Sequence, residues 1–453
     1  MKFRKFLFSA LVLVLTPAFL LLDFTSPNTW QQFSLQNPAV HAKVKKKKGE
    51  NSKEVQNKEE NHLSPQRSGN VISMKFKVPA SIQKAVDFWI MVYTKYDRNY
   101  EIFHDTENLG VIYSVLDFTD LYNNDALTRT DRLAIFRPRL AAEEDRIKTM
   151  LEHIHENQYQ PDKLSKEEKR IFDMFKDDPN PDKFLAAADE KRIRSQTGIK
   201  NKFLEAIETS GAYIEEFEDI FMSYGLPIEL TRLAFVESMF NTKARSKVGA
   251  SGLWQFMPGT GKLFGLALNK YVDERNDPIR ATHAAARLLK SNYEALGTWY
   301  LALNAYNSGR ATMSRAVSAM GTSDIGVIIN NYRGGVYGFA SRNFVPSFLA
   351  ALEIANNYPK YFGKVKRKPK IQYEEYILNN SNRFGQLSTM AGYSLVDMMD
   401  LNPHFSDSVL EDRIKLPPGY VIRVPKGSKQ KFAEAEVLTS QNIDAIAEDG
   451  HQR

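Results

Sequence analysis

The sequence predicts a mainly α-helical protein that closes with a small β-α-α-β module. Three observations carry this expectation. Apolar residues recur at helical spacing among charges from Asp131 to Gln158, and again through Ile228, Leu230, Leu233, Val236 and Phe240. Helix-start chemistry introduces such runs at Pro227 and at Asp277-Pro278. Strand-like alternation is confined to Tyr373 to Leu378 and Tyr420 to Val424, which flank two short helical pieces.

From the N-terminus, Lys2, Arg4 and Lys5 precede an apolar run from Phe6 to Leu22, the pattern of a secretory signal. The run is near the lower limit for spanning a bilayer, and Pro17 interrupts it. The best small-residue cleavage site, Val40-His41-Ala42, lies well beyond its end. Residues 1–42 are therefore expected to be a cleaved signal or an uncleaved anchor, with the remainder exported. Residues 43–70 are polar and almost free of large apolar side chains, which predicts a disordered linker. Its basic run, Lys45 to Lys48, is either solvated or set against an anionic surface.

Residues 71–209 are expected to form a helical accessory domain, opening on Phe88, Trp89, Ile90, Val92 and Tyr93. No catalytic signature stands out there. His153 and His155 are two apart, on different helix faces, and make no metal pair. Residues 210–362 are densest in helix signals: Ala281, Ala284, Ala285, Leu288 and Leu289 line one face, and Ala302 to Tyr306 and Val345 to Ala355 extend the pattern. The lysine-rich joint Lys364 to Lys370 ends this region. Residues 373–426 make the β-α-α-β module, with helical pieces at Phe384 to Met390 and Leu395 to Leu401, and 427–453 read as a flexible tail.

With 453 residues the chain exceeds one compact core and suits two or three domains. Its formal charge of +7 favours weak attraction to anionic surfaces without selecting one. The absence of cysteine excludes disulfides, thiolate metal sites, cysteine nucleophiles and a lipidated cysteine. The eight histidines show no metal-binding spacing, so neither a metal nor another cofactor is expected.

The candidate chemistry centres on Glu237. It ends a mostly apolar helical stretch, and no other Asp or Glu occurs from Ser238 through Val272. Partial desolvation there would raise its pKa, as a general acid working near neutral pH requires. Protonating the leaving oxygen of a glycosidic bond is such a task. Most glycosidases pair two carboxylates; here the nearest downstream candidates are Asp273, Glu274 and Asp277. The alternative for Glu237 is a structural ion pair with Arg232 or Arg245. The stretch from Gly249 to Gly261 then combines glycines, which permit close backbone approach, with Trp254, Gln255 and Met257, which suit sugar faces and substituents. Tyr306 and Asn307 place a phenol and an amide at a helix end.

These residues together resemble the soluble lytic transglycosylase (SLT, goose-lysozyme-like) family, in its membrane-bound lytic murein transglycosylase D type. The matching pieces are Glu237-Ser238, Ser246 ahead of Gly249-Ala250, Gly252-Leu253-Trp254-Gln255-Phe256-Met257-Pro258, and Ala305-Tyr306-Asn307-Ser308-Gly309. The resemblance implies a lysozyme-like α-helical catalytic domain over 210–362. It implies non-hydrolytic cleavage of the MurNAc–GlcNAc β-1,4 bond of peptidoglycan, leaving 1,6-anhydro-MurNAc ends. Glu237 would be acid and then base. Ser246 and Gln255 would contact substrate N-acetyl or hydroxyl groups, Met257 would line the sugar groove, and Tyr306 and Asn307 would position Glu237 and substrate. The implied partner is the peptidoglycan glycan strand, with no nucleic acid. The implied location is the periplasm or cell envelope, with the N-terminal apolar segment as a membrane anchor if it is retained.

The 373–426 module resembles LysM peptidoglycan-binding modules through Leu387 to Ala391, Leu401-Asn402-Pro403, Leu416 to Gly419 and Val421 to Pro425, although the usual Gly-Asp-Thr start is lacking. One further departure bears on catalysis. The family carries a Tyr before a Val-Pro step that supports the catalytic Glu, and here Phe344 precedes Val345-Pro346. Two alternatives stay open: a lysozyme-like muramidase acting on the same bond with water, and an inactive peptidoglycan-binding scaffold.

Overall fold

Helices dominate, and three buried clusters organise them. The computed structural model describes residues 66–68, 71–73 and 76–450, with side chains from Phe76 to Thr439. The segment 1–42, the basic run Lys45 to Lys48 and most of the 43–70 linker lie outside the described residues. At the end of that linker stretch, Gln66–Ser68 pairs antiparallel with Val71–Ser73. Among the described residues no helix is long and apolar enough to cross a membrane.

The largest cluster gathers helices Lys200–Ser210, Ile214–Ser223, Leu233–Ser238, Pro278–Leu296, Trp299–Ser308 and Phe339–Asn356. It also takes in Gln83–Thr94, whose Val86, Trp89, Val92 and Tyr93 form an apolar stripe at helical spacing. The indole of Trp89 donates to Asn343 Oδ1 of Phe339–Asn356 at 2.9 Å. Residues 71–209 are therefore not a separate helical domain, because both of their ends are built into this core.

Nor is the middle of that region purely helical. Strands Ile112–Asp117, Tyr100–Asp105 and Ile193–Thr197 form an antiparallel sheet in that order. The helix Arg129–Asn157 covers it, begun by a Thr128–Asp131 capping box and contributing Phe136, Leu140, Ile147, Leu151 and Ile154 to the second cluster. The central strand escaped the pattern reading because Glu101, His104 and Asp105 are buried polar residues, so alternation is masked on both faces. Two of them show how burial is met: Asp105 accepts from Arg192 and Tyr113, whereas burial pushes Glu101 up to about 7.

The third cluster belongs to the C-terminal module. Tyr373–Ile377 pairs antiparallel with Val421–Pro425, and helices Phe384–Met390 and Leu395–Leu401 lie between them in sequence. The expectation of a flexible 427–453 tail is corrected here. Lys429–Gly450 is helical, Phe432 and Ala435 enter the module core, and residues 451–453 lie outside the described residues. Buried Glu436 accepts from the Tyr376 hydroxyl (2.7 Å), the Asn380 amide (2.7 Å) and Asn382 Nδ2 (2.8 Å). A polar composition concealed this helix because one carboxylate gathers donors that no local pattern links to it.

Candidate active site

The helix that carries Glu237 is short. Residues Ile228–Arg232 form a 3-10 turn, and only Leu233–Ser238 is α-helical. Met239 ends it in the left-handed region (φ 51°) and Phe240 follows suit (φ 54°). Left-handed backbone at a non-glycine residue costs roughly 1–3 kcal/mol and persists only where the surroundings enforce it. The enforcement is the Phe240 ring, buried 4.5 Å from Phe235 and 6.0 Å from Phe217 between ring centres. The chain is thus turned sharply just beyond Glu237.

Glu237 is 2% exposed, and its Oε1 has no hydrogen-bond partner among the described residues. Burial, uncompensated by any cation, pushes its pKa up to about 8. The ion-pair alternative fails on the Arg232 side, since Arg232 pairs with Glu218. The carboxyl is therefore largely protonated at neutral pH. Tyr306 shares this environment: its phenol is held well above its ordinary value by burial first and the Glu237 charge second. Its hydroxyl donates to the Trp254 carbonyl at 2.9 Å, which ties Trp299–Ser308 to the glycine-rich loop.

That loop is a compact knot. Ser246 closes a turn, its hydroxyl accepting from the Ala250 amide at 2.8 Å. Ser251 N–H donates to Phe256 O (3.1 Å) and Gly252 N–H to Ala244 O (2.8 Å). Gly252 (φ 77°) has no substitute, because a Cβ there would stand 1.7 Å from the Arg275 carbonyl. Gln255 is buried in a left-handed conformation (φ 49°), and its Nε2 donates to Ala244 O (3.1 Å) and Gly252 O (2.6 Å). Its amide nitrogen thereby ties two backbone carbonyls of the loop together. Met257, half-buried, caps the start of Pro258–Leu263. Trp254 is core: its indole donates to Thr282 at 2.7 Å and stacks on Phe221.

Asn307 is buried, and its Oδ1 accepts from the Ser341 hydroxyl at 3.0 Å. Behind it, Asn304 donates to the Tyr337 hydroxyl (3.2 Å) and Ser341 O (2.9 Å). This network was missed at the level of sequence, although a polar Asn304 inside the apolar run from Trp299 to Ala305 was a signal for it. Tyr337 is thereby engaged with Asn304, and Phe344 is buried in the apolar core.

The candidate second carboxylates are all engaged elsewhere. Asp273 pairs with Arg275 at 2.7 Å, and Glu274 Oε2 accepts from the Ala267 amide at 2.8 Å. Asp277 is fully buried and caps Pro278–Leu296 through Ile279 N (2.9 Å) and Arg280 N (3.0 Å). Of these carboxyls, Glu237 alone has no cation or donor against it among the described residues.

Residues 221–329 match the family model described as the transglycosylase SLT domain. The match begins in Ile214–Ser223 and takes in Glu237, the glycine-rich loop, Tyr306 and Asn307. The chain is 29% identical over 230 residues to the membrane-bound lytic murein transglycosylase D of two strains of Escherichia coli, an alignment covering 49% of this chain and 47% of each relative. It thus spans about half the length of these curated relatives. Among solved structures, the 70 kDa soluble lytic transglycosylase of Escherichia coli shares 23% identity over 34% of this chain and 26% of that one, with a TM-score of 0.27.

Proposed function

We propose that the protein is a peptidoglycan lytic transglycosylase of the cell envelope, cleaving the MurNAc–GlcNAc β-1,4 bond with Glu237 as acid and then base. The observation that carries this reading is the buried carboxyl of Glu237, unpaired and raised to about 8, inside an SLT domain. A carboxyl protonated at neutral pH can give its proton to the glycosidic oxygen as the bond to C1 of MurNAc breaks. The N-acetyl oxygen of the substrate stabilises the cationic carbon. The C6 hydroxyl of the same sugar then attacks C1 and returns its proton to the Glu237 carboxylate. Because that hydroxyl is intramolecular, its effective concentration is high, and no second carboxylate is needed to activate water. The engagement of Asp273, Glu274 and Asp277 elsewhere supports this single-carboxyl route.

In this reading Ser246, Met257, Tyr306 and Asn307 lie along the substrate path. Gln255 acts through the loop it holds. Glycan strands are the substrate, and the names of the curated relatives support a place in the envelope.

The test is mass spectrometry of muropeptides released from purified peptidoglycan, with Glu237→Gln alongside. Anhydro-MurNAc ends that vanish in the variant are the expected result. Reducing MurNAc ends would identify a hydrolase. No release by the folded protein would leave a wall-binding role, the outcome that Phe344 in place of a supporting tyrosine favours.

A further inference from the structure

Residues 268–277 form a strap between two parts of the chain that are far apart in sequence. One side of the strap holds the glycine-rich loop. Arg275 Nη1 donates to Gly249 O (2.6 Å) and Phe256 O (3.0 Å), and the Ser251 hydroxyl donates to Asn276 Oδ1 (2.6 Å). Gly252 packs directly on the Arg275 backbone.

The C-terminal module grips the other side. Val272 bridges to Phe405 and lies in the module core. Asp273 N–H donates to His404 O, and Ser406 N–H donates to Tyr271 O, both at 2.8 Å. The Ser406 hydroxyl donates to Lys270 O at 2.7 Å. Arg423 Nη2 reaches both oxygens of Asp277, at 2.9 and 2.8 Å, with His404 Nδ1 3.4 Å from Oδ2. The carboxylate of Asp273, whose amide the module holds, in turn orients Arg275 through contacts of 2.9 and 2.7 Å. The connecting joint is fixed as well: Lys368 N–H donates to Glu208 O at 2.8 Å, and Ile371 N–H to Ala212 O at 3.3 Å.

We propose that the C-terminal module is a fixed brace of the substrate loop, and that Arg423 is a positioning residue for the segment from Ser246 to Met257. The physical basis is the contrast between the two faces of the strap. A carboxylate and a guanidinium buried together in low dielectric hold one geometry, and removing either leaves the other uncompensated. The loop, by contrast, is glycine-rich and has little apolar side-chain area of its own to fix it beyond Leu253, Trp254 and Phe256. Besides its internal bonds and these buried side chains, its shape depends on the carbonyls and hydroxyl that the strap engages. The effect on turnover rests on the glycan-cleaving reading; the effect on loop order does not.

The experiment is amide hydrogen exchange on the full chain, comparing wild type with Arg423→Met, Arg423→Lys and Asp277→Asn. Both Arg423→Met and Asp277→Asn are expected to speed exchange at Ser251 and Gly252 by about tenfold or more, while Gln83–Thr94 keeps its protection. Arg423→Lys should recover part of the loss. On glycan strands, KM should rise in the same variants while the pH at which activity falls stays that of wild type. Wild-type protection of the loop in both variants would overturn the brace, including the case where the module itself has lost protection. If Arg423→Met unfolds the whole chain, Asp277→Asn, which leaves the module interior untouched and can still cap its helix, decides. A wild-type protein that yields no anhydro product refutes the proposed activity and leaves the exchange result standing.

Discussion

The end of Leu233–Ser238 and the start of Pro278–Leu296 each bury a carboxylate within the stretch that matches the SLT model, and the two surroundings drive them to opposite charge states. Glu237 meets no cation among the described residues, and burial raises its pKa to about 8. Asp277 is buried at least as deeply, yet Arg423, His404 and two helix N-terminal amides outweigh that burial and hold it below its ordinary value. Desolvation acts on both; what differs is whether positive charge and donors are supplied. A carboxylate that is compensated becomes structure. One left uncompensated stays neutral and can give a proton away.

The largest effect that would break the comparison is at Glu237. Glu237→Gln removes the proton donor while keeping shape, so turnover should fall by about 10²–10⁴-fold or more, read as muropeptide release. Its thermal stability should hold or increase, because a neutral amide replaces a carboxyl that prefers not to ionise. A variant that turns over normally would sink the assignment.

Next comes Arg423→Met, which should destabilise by about 3–5 kcal/mol in denaturant unfolding, because Asp277 is left charged and unpaired. Replacing both partners with apolar or neutral groups should cost much less than either single change. A double-variant cost equal to the sum of the two single costs would mean that the pair contributes little beyond packing.

The pH dependence sharpens the contrast further. Glu237 has a raised folded pKa, so its stabilising contribution is full below its ordinary value of 4.5 and is lost as pH rises through about 8. Melting temperatures of wild type should therefore fall relative to Glu237→Gln between about pH 5 and about pH 9, and activity should decline on the same limb. Asp277 has a depressed folded pKa. Its contribution is present above the ordinary aspartate range and is lost as pH falls through the lower folded value, so wild type and Asp277→Asn should converge in acid. Parallel curves for the two comparisons would contradict the opposite charge states.

The smallest expected effect is that of Phe344→Tyr. If the added hydroxyl donates to Glu237, it stabilises the charged form, and the alkaline fall in activity should move down by about one pH unit or less. If the hydroxyl finds no partner in this buried position, the variant should instead lose about 1–3 kcal/mol in stability with no movement of the limb. The pH profile and the melt together separate the two.

Glu237 was legible in the sequence because one acidic residue follows an apolar helical run and no other follows for more than thirty residues. Gly252 and Tyr306 were legible through spacing and residue type. The role of Gln255 was not, since a glutamine beside a glycine-rich turn reads equally as a substrate contact or as a clamp on its own backbone. Its bonds to Ala244 O and Gly252 O show that it clamps its own backbone. The partner of Asp277 was hidden more deeply, because Arg423 lies 146 residues away in what reads as an ordinary strand.

By itself the sequence determined the helical character, the two flanking strands and first two helices of the module, though not its short third helix Asp407–Leu410, and the residue types available for acid chemistry. These follow from periodicity and local turn chemistry, which act over a few residues. Tertiary structure alone decided that Gln83–Thr94 shares one buried core with the helices around Glu237, that Glu237 is neutral while Asp277 is charged, and that the module is seated on the strap that holds the loop. Those outcomes depend on desolvation and on pairing between distant segments, and both are properties of the assembled interior.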